Sequence, residues 1–139
     1  MEISYHYLLM ANQAVLQKKL LMELTDTGLT LGQPKVLDYL KDHNGASQKE
    51  IASGCHIEAA SLTSVLNRME EKKLIERRML NGNRRSLHIF LTEIGQEYQS
   101  TVDQSFHLLE EKAFQGITRE ERTQFMKTFK KIYDNMAKE

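Results

Sequence analysis

The sequence contains a single cysteine, a single proline and no tryptophan among its 139 residues. The lone Cys55 has no intramolecular disulfide partner, which is typical of a protein from a reducing compartment. No stretch reaches the roughly 20 apolar residues that a membrane-spanning helix requires. Residues 1–9 also lack the basic start and small-residue cleavage site of a secretion signal. We therefore expect a cytoplasmic protein with no membrane partner.

Catalytic and metal-binding motifs are missing as well. The chain has no glycine-rich phosphate loop, no His-Glu-x-x-His and no cysteine pair, so the common signatures of phosphoryl transfer and zinc chemistry are absent. Cys55 and His56 are adjacent, but two neighbouring residues do not make a tetrahedral zinc site. We predict a protein that is not an enzyme and needs no cofactor, with a hydrolase site assembled from distant residues as the alternative.

Positive and negative side chains are equal in number, so the formal net charge is zero. Any anion-binding surface must therefore be local. One segment is locally basic, because only Glu76 opposes its cations, which are Lys72, Lys73, Arg77, Arg78, Arg84 and Arg85. Binding to a phosphate backbone requires such a local positive field.

Helix-forming residues dominate the composition, and one segment departs from the helical pattern. Between Ile75 and Leu91 the apolar residues alternate around the turn signal Asn81-Gly82, which predicts a single β-hairpin. Earlier in the chain, Thr30 with Gln33 predicts the start of a second helix. The fold class that follows is mainly α with a small β-hairpin wing.

Two short helices before the hairpin form a helix-turn-helix pattern. Ser47 with Glu50 predicts a capping box for the first of them, His56 makes the turn, and Glu58 opens the second. An apolar stripe leaves an outward face of small polar residues that suits the DNA major groove. These predicted base-contacting residues are Ala59, Ser61, Thr63, Ser64, Asn67 and Arg68. The alternative is an ordinary solvated helix face.

Several of these segments carry a family resemblance. Leu29-Thr30, Glu50-Ile51-Ala52 and the run from Met69 to Ile75 are similar to the helices of MarR-type transcriptional regulators. The wing pattern is met by residues 83–90 followed by Leu91-Thr92 and Gly95. The resemblance implies a winged helix-turn-helix protein that binds double-stranded DNA. It also implies that Arg84 and Arg85 approach the minor groove, while Lys72, Lys73 and Arg77 neutralise phosphates or stay solvated.

The chain departs from the family pattern at four positions. Asn83 stands where an aspartate usually orients a wing arginine, and Ser64 replaces a frequent arginine of the recognition helix. His56 and Lys73 take positions that are often glycine; histidine tolerates a left-handed conformation better than most residues. The operator of a relative therefore does not transfer to this chain.

Apolar stripes also run through the terminal helices. Thr92 is expected to cap one long helix, and Thr118 with Glu121 to cap another. We predict one domain in which residues 30–92 form the DNA-binding region and residues 1–28 and 93–139 form a helical dimerisation region. In the family resemblance these helices interdigitate in a homodimer, so that two recognition helices reach successive major grooves about 34 Å apart. The alternative is an intramolecular helical bundle.

A ligand pocket between the dimerisation helices and the winged region is a further implication of the resemblance, with small aromatic or amphipathic effectors. The predicted lining residues are Tyr5, His6, Leu9, Asn12, Leu16 and Tyr39; simple packing is the alternative. Cys55 is expected to pack as a small apolar residue, with oxidation sensing as the alternative. The predicted function is a homodimeric repressor of a pseudo-palindromic operator, and the alternative is a winged-helix protein-interaction module.

Overall fold

The computed structural model describes residues 2–80, 82 and 86–138. Its helices and strands, in chain order, are α1 (Tyr5–Glu23), a 3-10 turn (Thr25–Thr27), α2 (Gln33–Asp42), α3 (Gln48–Cys55), α4 (Ala59–Glu71), β1 (Ile75–Met79), β2 (Leu87–Leu91), α5 (Glu93–Ala113) and α6 (Arg119–Ala137). The predicted fold class, mainly α with one hairpin, is confirmed. The chain forms two compact units, Met1–His107 and Leu108–Glu139.

The helix starts follow the capping residues of the sequence in three of four predicted cases, and Thr92 precedes α5 as predicted. Ser47 with Glu50 and Thr118 with Glu121 form complete capping boxes at the starts of α3 and α6. The predicted start of α2 at Thr30 is wrong, because α2 begins at Gln33 with Gly32 as its N-cap, at φ 91°. Gln33 still reaches back, and its Oε1 accepts the Thr30 backbone N–H at 3.1 Å.

The core of the first unit is built from every element between α2 and β2. Its side chains with 0% exposure are Val36, Leu37, Leu40, Ile51, Leu62, Leu66, Met69 and Ile89, joined by Leu24 after α1 and Val102 of α5. Burial of such side chains stabilises each by about 1.5–3 kcal/mol relative to an exposed position. Because one core joins α2, α3, α4 and the hairpin, these elements hold fixed positions relative to one another.

The hairpin is fastened to the segment that precedes α3. Its two strands pair antiparallel, from Ile75 opposite Leu91 to Met79 opposite Leu87. The Gly45 N–H donates to the Ile89 carbonyl at 2.8 Å, and the Ile89 N–H donates to the Ala46 carbonyl at 2.9 Å. These bonds attach β2 to the N-terminal end of α3.

The start of α5 fits closely against the turn after α4. The Thr92 hydroxyl donates to the Lys73 carbonyl at 2.6 Å and accepts the Gly95 N–H at 2.9 Å. A Cβ at Gly95 would overlap the backbone carbonyl oxygen of Leu74. The Leu-Thr and nearby Gly of the wing pattern therefore serve this joint, where only glycine permits the backbone approach.

The second unit has little buried surface. In it, the Phe114 and Phe125 rings meet edge to face with centroids 6.2 Å apart, and Phe125 stacks on Phe129 at 5.2 Å. The Arg122 guanidinium lies 4.2 Å from the centre of the Phe114 ring. No residue of α6, from Arg119 to Ala137, is buried. Across the described residues, none of the helices has the length and apolar character needed to cross a membrane.

Candidate nucleic-acid interface

Helix α4 has a buried side and an exposed side. Leu62, Leu66 and Met69 point into the core. All of the predicted base-contacting residues are exposed, namely Ala59, Ser61, Thr63, Ser64, Asn67 and Arg68. At 3.6 residues per turn, Ser64 lies opposite the buried leucines, together with Ala60, which the prediction did not include. The exposed side is therefore a row of short side chains that ends at Arg68.

Thr63 lies at the flank of this exposed side, next to α3. Its hydroxyl donates to the Ala59 carbonyl at 3.1 Å and accepts from the Gln48 side-chain amide at 2.9 Å. Sequence analysis did not single out Gln48. The sequence signal that could have identified it is its position directly after the Ser47 cap, as the first residue of α3. The hydrogen bond links the two helices of the helix-turn-helix at their exposed edge.

Lys72 is an exposed residue whose ammonium is hydrogen-bonded within the chain. The sequence predicts that it neutralises phosphate or stays solvated, but its ammonium donates to the Gly28 carbonyl at 2.7 Å and to the Gln33 Oε1 at 3.4 Å. Gly28 has a left-handed conformation with φ 73°, and Gln33 is 1% exposed. Lys72 therefore ties the end of α4 to the turn before α2, because the carbonyls at that turn need a donor.

The arginines of β1 lie on its two faces, as strand alternation requires. The Arg77 side chain is 16% exposed, and its guanidinium pairs with Glu70 at 3.3 Å. The Nε of Arg77 is buried and has no hydrogen-bond partner among the described residues. Arg78 pairs with Glu76 at 2.8 Å and lies 4.5 Å from the Phe90 ring centre. Arg77 is therefore mostly covered rather than solvated.

The remaining predicted cations fall into two groups. Lys73 adopts a left-handed conformation with φ 64° and has an exposed side chain. Arg84 and Arg85, together with Asn83, lie outside the described residues. The predicted contact of the wing arginines with the minor groove therefore stays a prediction.

Cys55 packs between helices and is 3% exposed. Its thiol donates to the Lys35 carbonyl at 3.7 Å. Burial raises the pKa of this thiol to about 11, so the reactive thiolate is scarce near neutral pH. The geometry favours a packing residue over an oxidation sensor. Among the described residues, no three His, Cys, Asp or Glu side chains converge on a metal position.

One cavity of about 260 Å³ lies in the first unit, beside α1. Its lining residues are Gln13, Leu16, Gln17, Leu20, Leu21, Leu31, Gly32, Pro34, Lys35 and Phe106. Of the predicted effector residues, Leu16 lines this cavity, while Tyr5, His6, Leu9 and Asn12 are exposed on the earlier turns of α1. The predicted set therefore does not come together around one space.

Tyr39 has a different role from the one predicted. Its ring stacks on His43 with centroids 4.2 Å apart. A Cβ at Gly54 would overlap the Tyr39 ring, so the ring packs directly against the backbone of α3. Tyr39 does not line the cavity beside α1. It joins α2 to α3, because a ring in contact with a glycine allows two helices to approach closely.

The terminal helices expose large apolar side chains. On α1 these include Tyr5, Tyr7, Leu8, Met10 and Val15, and on α6 they are Phe125, Met126, Phe129, Tyr133 and Met136. Those of α6 recur at spacings of three and four and form one apolar stripe along the helix, and an exposed apolar stripe is typical of an interaction site.

Comparison with known proteins agrees with this architecture. Residues 29–87 match the model of the MarR family. The chain is 33% identical over 86 residues to the HTH-type transcriptional repressor MdtR of Bacillus subtilis (strain 168). That match covers 60% of this chain and 56% of the relative, so it spans just over half of the relative's length.

Two solved structures extend the similarity to nearly the whole chain. The S. aureus MepR–DNA complex has a TM-score of 0.87 at 25% identity, and it covers 97% of this chain and 99% of that one. A putative MarR family transcriptional regulator from Listeria monocytogenes, complexed with 26mer DNA, has a TM-score of 0.89 at 20% identity and covers 99% and 91%. Together with the helices and the hairpin, these matches support a MarR-family winged helix-turn-helix regulator.

Proposed function

We propose that the protein is a homodimeric transcriptional repressor that binds a pseudo-palindromic DNA site. The observation that carries the proposal is the exposed side of α4, where a row of short side chains lies opposite the buried Leu62 and Leu66. An α-helix with short outward side chains fits within the major groove and brings its longer residues to the base edges. Asn67 and Arg68 have the longest side chains among the predicted base-contacting residues.

The attachment of the wing supports the same orientation. Because β2 is hydrogen-bonded to the segment before α3, the hairpin and α4 would meet the duplex as one rigid surface. Arg84 and Arg85 would enter the neighbouring minor groove, where the negative potential is greatest when the groove is narrow. Lys73 would neutralise phosphate, while Lys72 and Arg77 support α4 and β1 from within.

Dimerisation follows from the apolar faces of the terminal helices. We assign residues 30–92 to DNA binding and residues 1–28 and 93–139 to the dimer. A second copy would cover the exposed Phe125, Phe129 and Tyr133 of α6 and the exposed leucines of α1. Two copies of α4 would then face successive major grooves about 34 Å apart, which is why the site is expected to be pseudo-palindromic.

Two other observations support repression and release by an effector. The B. subtilis relative bears the name of a repressor. The cavity beside α1 combines apolar walls with the polar groups of Gln13, Gln17 and Lys35, a lining that suits a small amphipathic ligand. A ligand in this space would contact both α1 and the start of α2. It would thereby couple the terminal helices to the DNA-binding region.

Binding to duplexes selected from a random pool tests the proposal. We expect the purified protein to enrich a two-fold symmetric site, with an affinity that falls steeply with salt. Arg68→Ala should lower specific affinity about tenfold or more, the effect of losing one base contact, without unfolding the protein, because Arg68 is exposed. Lys127→Ala on α6 is the matched control.

A folded protein that binds no duplex at any salt concentration would instead support the protein-interaction module. The effector proposal has a separate test. Leu20→Trp should fill the cavity and abolish the effect of any small amphipathic compound that releases DNA from the wild-type protein. Asp42→Trp, at an exposed position at the end of α2 and outside the cavity lining, serves as its control.

A further inference from the structure

The bond between Gln48 and Thr63 has a chemical consequence for base recognition. The Thr63 hydroxyl has one proton, which it donates to the Ala59 carbonyl at 3.1 Å. It also accepts from the Gln48 Nε2 at 2.9 Å. Because its proton is committed within α4, Thr63 has no free donor to offer to a base. Its hydroxyl acts instead on the Gln48 carboxamide.

The Gln48 carboxamide retains a complete donor and acceptor pair. A primary amide has two N–H groups and one carbonyl oxygen, and Thr63 takes one N–H. A bidentate contact uses Oε1 and the N–H cis to it, which lie along one edge of the amide plane and are both left for a base when Thr63 accepts the other N–H. Within residues 2–80, 82 and 86–138, Oε1 of Gln48 has no hydrogen-bond partner. Gln48 is half-buried, and its bond to Thr63 lies at the exposed edge between α3 and α4.

We propose that Gln48 reads an adenine in the major groove and that Thr63 holds its carboxamide in the orientation required. Glutamine contacts adenine bidentately, accepting from N6 and donating to N7. Thr63 and Asn67 are one helical turn apart on the exposed flank of α4, so a duplex against this flank reaches Gln48 as well. The inference rests on the proposed function, because it needs α4 in the major groove.

Thr63 is thus a positioning residue, and Gln48 is the specificity-determining residue. A glutamine side chain on an exposed helix samples many rotamers, and fixing them on binding costs free energy. The bond to Thr63 removes part of that cost before DNA arrives. A purely structural link between α3 and α4 would stabilise the fold without any preference for one base.

A measurement of base preference distinguishes base reading by Gln48 from a purely structural link between α3 and α4. Duplexes are selected from a random pool with the wild-type dimer, and each position of the selected half-site is then substituted singly. We expect one adenine in each half-site whose replacement weakens wild-type binding by about 5- to 150-fold, the range for a bidentate base contact. Gln48→Ala should bind all bases at that position equally.

Three further variants sharpen the result. Gln48→Glu keeps the size of the side chain but presents only acceptors, so the preference should move from adenine toward cytosine, whose N4 donates. Thr63→Val keeps the shape of threonine without its hydroxyl and should reduce the adenine preference. Thr63→Ser restores the hydroxyl and should restore the preference. Thermal melting of each variant checks that the fold is retained.

The outcomes that overturn the inference are distinct from those that overturn the proposed function. If Gln48→Ala and Gln48→Glu keep the wild-type base preference at every position, or weaken all duplexes alike, Gln48 does not read a base, although DNA binding by α4 stands. If the wild-type dimer selects no duplex, the DNA-binding function fails and the inference fails with it.

Discussion

The helix-turn-helix region and the last helix contain similar apolar residues but use them differently. In α2, α3 and α4 the large apolar side chains are covered, as for Leu37, Ile51 and Leu66 at 0% exposure. In α6 the corresponding stripe remains open, with Phe125 at 49% and Tyr133 at 51%. Both regions have apolar residues at helical spacings of three and four.

The difference shows that amphipathic spacing specifies a helix and a buried face but not the partner of that face. The helix-turn-helix region closes its core within one chain. The stripe of α6 is left over from the core of its own unit, where Phe114 is its main contact. A second copy of the chain is the partner that the proposed function supplies.

The largest effect is expected when the apolar stripe of α6 is made polar, because this stripe is the proposed dimer interface. Phe125→Glu combined with Phe129→Glu should raise the dimer dissociation constant by about 1,000-fold, or about 4 kcal/mol, because the charges lose water at the interface. Analytical ultracentrifugation measures the change. Lys127→Glu, on the opposite side of α6, should leave the dimer intact. A double variant that remains a dimer at nanomolar concentration would show that α6 is not the interface.

In the first unit, we expect that Gly95 cannot be replaced by a residue with a Cβ without loss of stability. Gly95→Ala should cost about 3 kcal/mol of unfolding free energy, because its Cβ would overlap the Leu74 carbonyl oxygen. Helix propensity alone predicts the opposite sign, a gain of about 1 kcal/mol. Urea unfolding distinguishes the expected loss from the expected gain. Ser100→Ala, at an exposed position of the same helix, is the control. Equal stability of Gly95→Ala and wild type would refute the close approach.

A substitution at the end of α4 should relieve an unfavourable backbone conformation. Lys73 has φ 64°, a left-handed conformation that costs a side-chain-bearing residue about 1 kcal/mol. Lys73→Gly should therefore raise the unfolding free energy by about 1 kcal/mol, whereas Lys72→Ala should lower it, since Lys72 bonds the Gly28 carbonyl. Thermal unfolding compares the two. If both variants change stability in the same direction, the assigned roles of these lysines are wrong.

The smallest expected effect concerns the cap of α3. The Ser47 backbone N–H, followed by the Ser47 hydroxyl, lowers the pKa of Glu50 below 4.5. The ionised carboxylate therefore contributes stability above pH 4.5, and this contribution disappears as the pH falls through the lower, folded-state pKa. Glu50→Gln keeps an acceptor for the capping box but loses the charge. Its unfolding midpoint should depend less on pH in this acidic range, measured by circular dichroism; identical pH profiles would contradict the assignment.

Much of the fold could be predicted because its signals are local. A capping box acts over three residues, so Ser47 and Thr118 identified the starts of α3 and α6. The alternation from Ile75 to Leu91 identified the hairpin for the same reason. The start of α2 was misplaced because Gly32, at positive φ, separates Thr30 from the helix, and a glycine's conformation cannot be read from its neighbours alone.

The candidate site was predicted less completely, because its contacts join residues that are far apart in the chain. Gln48 and Thr63 meet only when α3 and α4 fold across the turn at His56. Lys72 meets Gly28 only when the end of α4 lies beside the turn before α2. Tyr39 was assigned to a ligand pocket, but the absence of a Cβ at Gly54 lets its ring pack between α2 and α3.

By itself, then, the sequence determined which segments are helices, where one hairpin interrupts them and which face of α4 is polar, since these depend on spacing within single elements. Only the tertiary structure decided which cations are exposed and which are bound internally, which glycine permits α5 to approach Leu74, and where a cavity remains beside α1. Such outcomes depend on packing between elements, where displacements of an ångström decide whether two groups bond, clash or leave a space.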